Sequence, residues 1–440
     1  MRIVKLTPGT GNFYCGSCIR DNALANAMRA AGHDVMMVPM YLPHVLDEPE
    51  AALDSPVFFG GVNVYLQEKI PLFRHTPRWV DRLFDAPWLL RYVARFAGMT
   101  RARDLGEMTV SMLQGEHGRQ NKELTKLIAW LKSQGKVDAV CLSNAMLLGV
   151  ARRIKQELGC AIICTLAGED AFLDSLIEPY RSDAWQLLSE RAAEVDAFIA
   201  VSKYYGDTMT RRMTLNAERV HVVYNGVNME GYRPAVERPD PPVVGYLARM
   251  IEGKGLTTLV DAFIELKQRD RVPGLTLRVG GSMTGDDENY VATLKAKLRS
   301  AGLADDVSFH PNLSHDEKAD LLRSFSVMSV PATYGESFGL YLLEAWACGV
   351  PVVQPRHAAF PELLDLSGAG ILCNADDVAS LADGLEQLLL KPDDCTRMGL
   401  AGRGCVEARF TIERIAGEVL DVIESTQGNR TITRAEAASP

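Results

Sequence analysis

Short β-prone apolar runs recur along this chain, separated by stretches of helical period, and that alternation limits the fold more than any other feature. The first half contains RIVKL, DVMMVP, VDAVCLS, AIICTL, DAFIAVS and VHVVYNG, with a helix starting near Cys18 after the first run. Strands alternating with helices form parallel sheets, because a parallel pair needs a crossover connection and not a hairpin. The segment PAVERPDPP, from Pro234 to Pro242, then interrupts the pattern, since its prolines resist both helix and sheet. Beyond it the alternation restarts with VVGYLA, LTLRVGG, VSFHP, SVMSVP and PVVQP, interleaved with TTLVDAFIELKQ and VASLADGLEQLLL. The expected fold class is α/β, two doubly wound Rossmann-like domains joined by a short linker and facing a cleft. A length of 440 residues suits two such cores.

Composition removes several function classes. A net charge of -9 argues against a general nucleic-acid binder, and the N-terminus, MRIVKLTPGT, enters a strand directly without an apolar signal region. No apolar run is long enough to span a membrane, so the expected location is cytoplasmic. Nine cysteines, mostly singletons in apolar runs (Cys141, Cys160, Cys164, Cys373), fit reduced buried thiols better than a disulfide framework. The Cys15–Cys18 pair in CGSC is the exception. A thiol at a helix start can be acidic, yet neither a thioredoxin-like context nor two further zinc ligands is visible, so packing or a loop role is favoured.

The segment Tyr334 to Val353, YGESFGLYLLEAWACGVPVV, carries the sharpest chemical signal. Glu336 and Glu344 are eight positions apart, about two helical turns; a helix beginning near Ser337 would put both on nearly one face, roughly 12 Å apart along the axis. The flanking apolar runs make this a strand, loop, helix, strand unit, whose loop faces the ligand crevice and whose helix N-terminus offers N–H groups to a phosphate or sugar oxygen. Gly339 has no side chain to obstruct that approach. Such a carboxylate pair is also common on solvated helices, so spacing alone does not decide.

A second loop, in GYLARMIEGKGLTTLVDAF, puts Arg249 just after a strand and Lys254 just before a helix. Both cations can project from it. No Asp-x-Asp triplet, the usual metal-diphosphate clamp, occurs in the sequence, so fixed cations are the available means of stabilising departing negative charge. Near the N-terminus Gly9, Gly11 and Gly16 occupy a strand-to-helix turn. A dinucleotide fingerprint would need glycine where Tyr14 stands and an acid ending DVMMVP, which disfavours an NAD enzyme. In TLAGEDAFLD, Glu169 and Asp170 follow a strand and could meet sugar hydroxyls, or could be ordinary acids at a helix N-terminus.

The segment ESFGL, followed by EA, A, G and PVV in register, resembles the E-x7-E signature of retaining glycosyltransferases of family 4, which have the GT-B fold. YNGVN (Tyr224 to Asn228), VGGSMTG and PEL (Pro361 to Leu363) are also in order, and the match covers most of Asp196 to Gly402 with patches before it. The resemblance implies an N-terminal acceptor domain, 1–233, with a helical insertion at about 70–135, and a C-terminal nucleotide-sugar domain, 243–410. It further implies a helix at 411–426 that returns to the first domain; the polar stretch 427–440 reads as a disordered tail. By the same resemblance Arg249 and Lys254 hold the donor's phosphates, with Ala248 where the family has glycine. Glu336 meets the donor sugar, Glu344 the ribose, and the backbone of Phe338, Gly339 and Leu340 the sugar and phosphate. Gly11 and Asn12 lie in the loop that closes over donor and acceptor, and Asn228 replaces the usual Asp. Ala167 stands where the family commonly has a sugar-contacting histidine.

The implied activity is metal-independent, retaining transfer of a sugar from a nucleoside diphosphate sugar to a hydroxyl acceptor, with no further cofactor. The alternatives are a GT-B phosphorylase or nucleotide-sugar epimerase, or a non-catalytic sugar-binding protein. A pyridoxal-dependent phosphorylase would need a cofactor-lysine motif that is not found. The stretch from Arg78 to Leu105 interleaves Trp79, Phe84, Trp88, Tyr92 and Phe96 with arginines. It could contact an anionic membrane surface or grip a carbohydrate, though a helical subdomain packed on its own domain is favoured. If Arg249 and Lys254 stabilise the leaving diphosphate, Arg249→Ala and Lys254→Ala should each lower turnover by roughly 10²-fold or more. Steady-state rates near normal in either variant would remove the assignment.

Overall fold

Twelve parallel strands fall into two sheets of six, one in each of two units, in a computed structural model that describes residues 1–9, 16–41, 58, 59 and 102–437. Gly11, Asn12, Cys15 and most of the aromatic stretch at 78–105 lie outside the described residues. The first unit comprises Met1–Tyr224 and Ile415–Pro440, the second Asn225–Arg414.

The first sheet contains β1 (Arg2–Thr7), β2 (Asp34–Pro39), β3 (Ala139–Leu142), β4 (Ala161–Leu166), β5 (Ala197–Ala200) and β6 (Val220–Val222), in the order β2-β1-β3-β4-β5-β6. Its helices are α1 (Gly16–Ala30), α2 (Ala102–Gln114), α3 (Asn121–Ser133), α4 (Ala151–Leu158), α5 (Glu169–Ser175), α6 (Tyr180–Arg191) and α7 (Lys203–Met213). AVCL in β3 and AFIA in β5 are buried throughout, as strands covered on both faces must be. In the expected insertion, α3 buries Leu124, Leu127, Ile128 and Leu131, the repeat of one helix face, and joins the core.

The second unit contains β7 (Val243–Leu247), α8 (Leu256–Arg269), β8 (Thr276–Gly281), α9 (Glu288–Ser300), β9 (Val307–Pro311) and α10 (His315–Arg323). It continues with β10 (Val327–Met328), α11 (Leu340–Ala347), β11 (Val352–Pro355), α12 (Phe360–Ser367), β12 (Gly370–Cys373), α13 (Val378–Leu389) and α14 (Pro392–Arg409). The strand order is β12-β11-β10-β7-β8-β9. From β7 the chain winds outward through β8 and β9; from β10 it winds the other way. The reversal therefore lies between β7 and β10, the position at which doubly wound sheets bind ligands beyond the strand ends.

Three boundaries differ from the sequence reading. The second unit begins at Asn225, so Pro234 to Pro242 lies inside it. Backbone bonds explain this: Val227 N donates to Phe410 O at 2.9 Å and Ile412 N to Val227 O at 3.1 Å, while Tyr232 is buried. The last helix, α15, runs Ile412–Ala437, so 427–437 is helical where a disordered tail was expected. Extending an existing helix needs no new nucleus, which lets a polar segment follow an anchored one. From Ile415 onward it belongs to the first unit, where Gln427 Nε2 donates to Asp138 O at 3.2 Å. Finally, the run SVMSVP forms only two residues of strand. Ser329 N still bonds Gly245 O at 3.0 Å, but Val330 N turns to the buried side-chain oxygen of Gln354 on β11 at 3.1 Å. The chain thus leaves the sheet early and carries its next residues over the reversal. Among the described residues, no helix is long and apolar enough to cross a membrane.

One glycine fixes the seam. Gly255, with φ of +74°, ends the turn that carries Lys254 and starts α8, and a Cβ there would overlap the carbonyl of Pro331. Gly302 has nearly the same φ, +75°, but open space around it. Gly302→Ala should therefore cost only the backbone term, about 1 kcal/mol, and Gly255→Ala at least ~3 kcal/mol. Equal urea midpoints for the two variants would contradict the close packing of these loops.

Candidate functional site

The loops leaving β7 and β10 are laced together before any side chain reaches out. Thr333 N donates to Gly253 O at 3.0 Å, and Gly255 lies against Pro331. Met250, fully buried, anchors the first loop while its N–H bonds Ser282 O at 2.9 Å. Arg249 and Lys254 are thereby held on either side of the anchor, and Glu336 is delivered from the second loop.

Lys254 forms an ion pair with Glu336 Oε2, which also accepts from the Tyr341 hydroxyl at 3.2 Å. The ammonium lies 5.0 Å from the Tyr334 ring centre and 5.5 Å from that of Tyr341, an aromatic cradle for a cation. Burial alone would lower the Lys254 pKa, but the Glu336 carboxylate outweighs it and holds the ammonium above its ordinary range. Burial, reinforced by Glu336, pushes the Tyr334 hydroxyl up to about 12. At neutral pH the lysine is therefore charged and the two phenols neutral.

Arg249 is held from the other side. Its guanidinium meets both oxygens of Asp287 at 3.2 and 3.3 Å. Asp287 in turn accepts from Thr284 N and Oγ1, each at 2.8 Å, closing a capping box over the turn before α9. A partly exposed arginine is so presented as a fixed cation. Next to it, Asn312 clasps Met283 reciprocally, accepting at 3.0 Å and donating at 2.9 Å, which ties the loops leaving β8 and β9.

The helix of the carboxylate pair begins at Leu340, not near Ser337, because Gly339 takes a φ of +90° as its N-cap. Glu336 consequently sits in the loop and Glu344 on the helix, each with its own cation and phenol. Glu344 Oε1 accepts from Lys318 Nζ at 2.8 Å and Tyr232 Oη at 3.0 Å. Phe338 is buried edge-to-face on Phe410, with ring centres 6.3 Å apart, which points the Phe338–Leu340 backbone past the side chains.

In the first unit Glu169 is buried, and its oxygens accept from Ala145 N (2.8 Å), Ala167 N (3.0 Å), Gly168 N (3.1 Å) and the Tyr205 hydroxyl (2.8 Å). Four protein donors make it a clasp for the loop after β4, the ordinary reading of an acid at a helix start. Asp170, half-buried, faces the same hydroxyl at 2.9 Å. Cys18 is buried in α1. The structure thus gathers Arg249, Lys254, Glu336, Phe338, Gly339, Leu340 and Glu344 in one unit. Sequence reasoning missed Asp287, Tyr341, Lys318 and Tyr232, none of which stands at a spacing that marks it.

The Asp287 latch has a pH signature. Burial raises its pKa, but Thr284 and Arg249 more than offset this, leaving the carboxyl below its ordinary 3.8. A carboxylate depressed in the folded state stabilises the fold above the unfolded value and ceases to do so as pH falls through the folded value. The melting temperature of the Asp287→Asn protein should therefore lie below that of the unmodified chain at pH 7, and the gap should close as pH falls past the ordinary carboxylate range. Parallel curves down to pH 2 would contradict the latch.

Residues 230–404 match the family model for glycosyl transferases group 1, and residues 107–230 that for glycosyltransferase family 4. A D-inositol 3-phosphate glycosyltransferase of Streptomyces bingchenggensis is 30% identical over 250 residues, covering 53% of this chain and 54% of that protein. A GDP-mannose-dependent phosphatidylinositol monomannoside mannosyltransferase of Mycobacterium tuberculosis is 29% identical over 195 residues, covering 43% of this chain and 49% of its own length. The match thus spans about half the length of these curated relatives. Among solved structures, a sucrose-phosphate synthase from Thermosynechococcus elongatus shares the fold over 99% of this chain and 100% of its own, with a TM-score of 0.69 at 19% identity. Anabaena HepE in complex with UDP and glucose does so over 97% and 100%, with a TM-score of 0.66 at 15% identity. With the two family models together matching residues 107–404, well over half its length, the chain belongs to glycosyltransferase family 4.

Proposed function

We propose that this chain is a retaining, metal-independent glycosyltransferase that moves a sugar from a nucleoside diphosphate sugar to a hydroxyl acceptor. The observation that carries the reading is the Lys254–Glu336 pair at the sheet reversal, with Arg249 fixed on the same loop as Lys254. A cation beside a carboxylate suits a ligand that is anionic at one end and rich in hydroxyls at the other. Arg249 and Lys254 take the diphosphate and Glu336 accepts from the sugar's hydroxyls. The Phe338, Gly339 and Leu340 amides face the phosphate at the start of α11, while Glu344 meets the ribose. Gly11 and Asn12 remain donor-binding candidates on the family resemblance and lie outside the described residues. Within the first unit, Glu169 acts through the loop it clasps, and Asp170 is the acid left to meet a sugar hydroxyl.

In this mechanism the bond from the anomeric carbon to the phosphate oxygen breaks, and the acceptor oxygen bonds to that carbon on the same face. The departing phosphate takes the acceptor's proton. The fixed cations stabilise the charge that develops on the diphosphate, which is why no metal is invoked. The names of the relatives point to phosphorylated inositol compounds, so a hydroxyl of an anionic cyclitol, free or on a lipid, is the first acceptor class to test. The arginine-rich aromatic stretch at 78–105 is the proposed contact if that acceptor lies in a membrane.

A thermal-shift panel of UDP, GDP, ADP and their sugars tests the donor. One nucleotide series should raise the melting temperature with concentration, as a ligand of the native state does, and transfer in a coupled assay should persist in excess EDTA. No shift across the panel would overturn the donor site, and loss of transfer on chelation would overturn metal independence.

A further inference from the structure

Both carboxylates of the pair are built alike, but only one of their supports is explained by the donor's phosphates. Lys254, beside Glu336, has a phosphate to meet. Lys318, beside Glu344, comes from α10, and Tyr232 from the segment that opens the second unit. Three stretches far apart in sequence therefore converge on a single carboxylate. Its side chain is only 12% exposed, as Lys318's is only 16%.

The convergence has a defined geometry. Lys318 Nζ at 2.8 Å and Tyr232 Oη at 3.0 Å both address Oε1. Oε2 takes no hydrogen bond from a described residue. Tyr232 cannot easily swing away: its ring packs edge-on against His315, centres 5.1 Å apart, and its carbonyl accepts from Arg403 at 3.2 Å. Arg403 also bonds the carbonyl of Ala347 at the end of α11, so the phenol and the helix bearing Glu344 share one clamp. Lys318 lies 5.9 Å from the centre of the Tyr232 ring. A nearly buried carboxylate without a counter-charge would be driven to neutralise, and one without fixed donors would sample several rotamers. Here both problems are solved on the same oxygen.

What is left is one oxygen in a fixed direction with two lone pairs, which matches two adjacent hydroxyls on one ring edge. We propose that Lys318 and Tyr232 are positioning residues that lock Glu344 so that Oε2 receives the 2′- and 3′-hydroxyls of the donor's ribose, making this triad the determinant of ribose over deoxyribose. The proposal rests on the reading of Glu344 as the ribose acceptor. A site built to accept from a hydroxyl rejects an analogue lacking it much more strongly than an apolar pocket could.

The test compares the dissociation constants of the nucleoside diphosphate selected by the thermal-shift panel and of its 2′-deoxy counterpart, by calorimetry. The unmodified chain, Lys318→Met, Lys318→Arg, Tyr232→Phe and Glu344→Gln are measured alongside donor KM and kcat. The unmodified chain should favour the ribonucleotide by about tenfold or more. Lys318→Met and Tyr232→Phe should lose most of that ratio by weakening ribonucleotide binding alone, with raised KM and little change in kcat, and Lys318→Arg should restore part of it. A ribose preference abolished by Glu344→Gln but intact in folded Lys318→Met and Tyr232→Phe overturns this inference and spares the donor site. No preference in the unmodified chain, or a preference untouched by Glu344→Gln, overturns the assignment of Glu344 and this inference with it.

Discussion

The parallel pairing of β7 with β10 is the contact on which the site depends. It is short, Val327 opposite Val244 and Met328 opposite Gly245, yet it brings together two loops that leave the sheet in opposite winding directions. The phosphate end of the proposed site is hung from these loops: the buried Met250 anchor, the Gly255–Pro331 contact and the ion pair of Lys254 with Glu336. A charged pair so shielded gains little for stability after its desolvation cost. Its retention makes sense as a device that keeps both groups ionised and in place for a ligand of mixed character.

A common construction runs through the second unit. Each charged group that faces a ligand in the proposed mechanism is already occupied by a protein partner: Arg249 by Asp287, Lys254 by Glu336, Glu344 by Lys318. A bound donor exchanges or shares these partners and does not meet bare charges, so the cost of desolvating each group has been met in folding. The phenols serve the same end. Tyr341 and Tyr232 each give a hydroxyl to a carboxylate oxygen that a lysine also addresses, fixing direction where the lysine supplies only charge.

Much of this was legible in the sequence because strands buried on both faces are continuous apolar runs, and because glycine and proline mark where they stop. Arg249, Lys254 and Glu336 could be named because they stand in the loops that follow two such runs and because the surrounding motifs resemble those of family 4. The legible part ended where local pattern gives way to distant contact. Glu169 and Asp170 are neighbours of the same chemical type, yet one is consumed by backbone donors from two loops and the other is half-buried. Lys318 sits in HDEKADLLR, where nothing distinguishes it from solvated charges, and its partner lies 26 residues away in sequence. The helix start shifted from near Ser337 to Leu340 because a left-handed glycine, not a capping side chain, begins it. β10 shrank because Gln354, a polar residue inside an apolar strand, took over the next N–H.

The last helix gives the chain an order of assembly. Ile415, Ala416, Val419, Leu420 and Ile423 are buried and belong to the first unit, although the whole second unit precedes them in sequence. A chain emerging from the ribosome presents its first six strands early, and the helix grouped with them follows only after the second unit. The second unit, continuous in sequence, is complete before that moment. The first unit is therefore completed last, by residues made after the whole of the second, so that loss of chain from that end removes part of the unit whose strands come first.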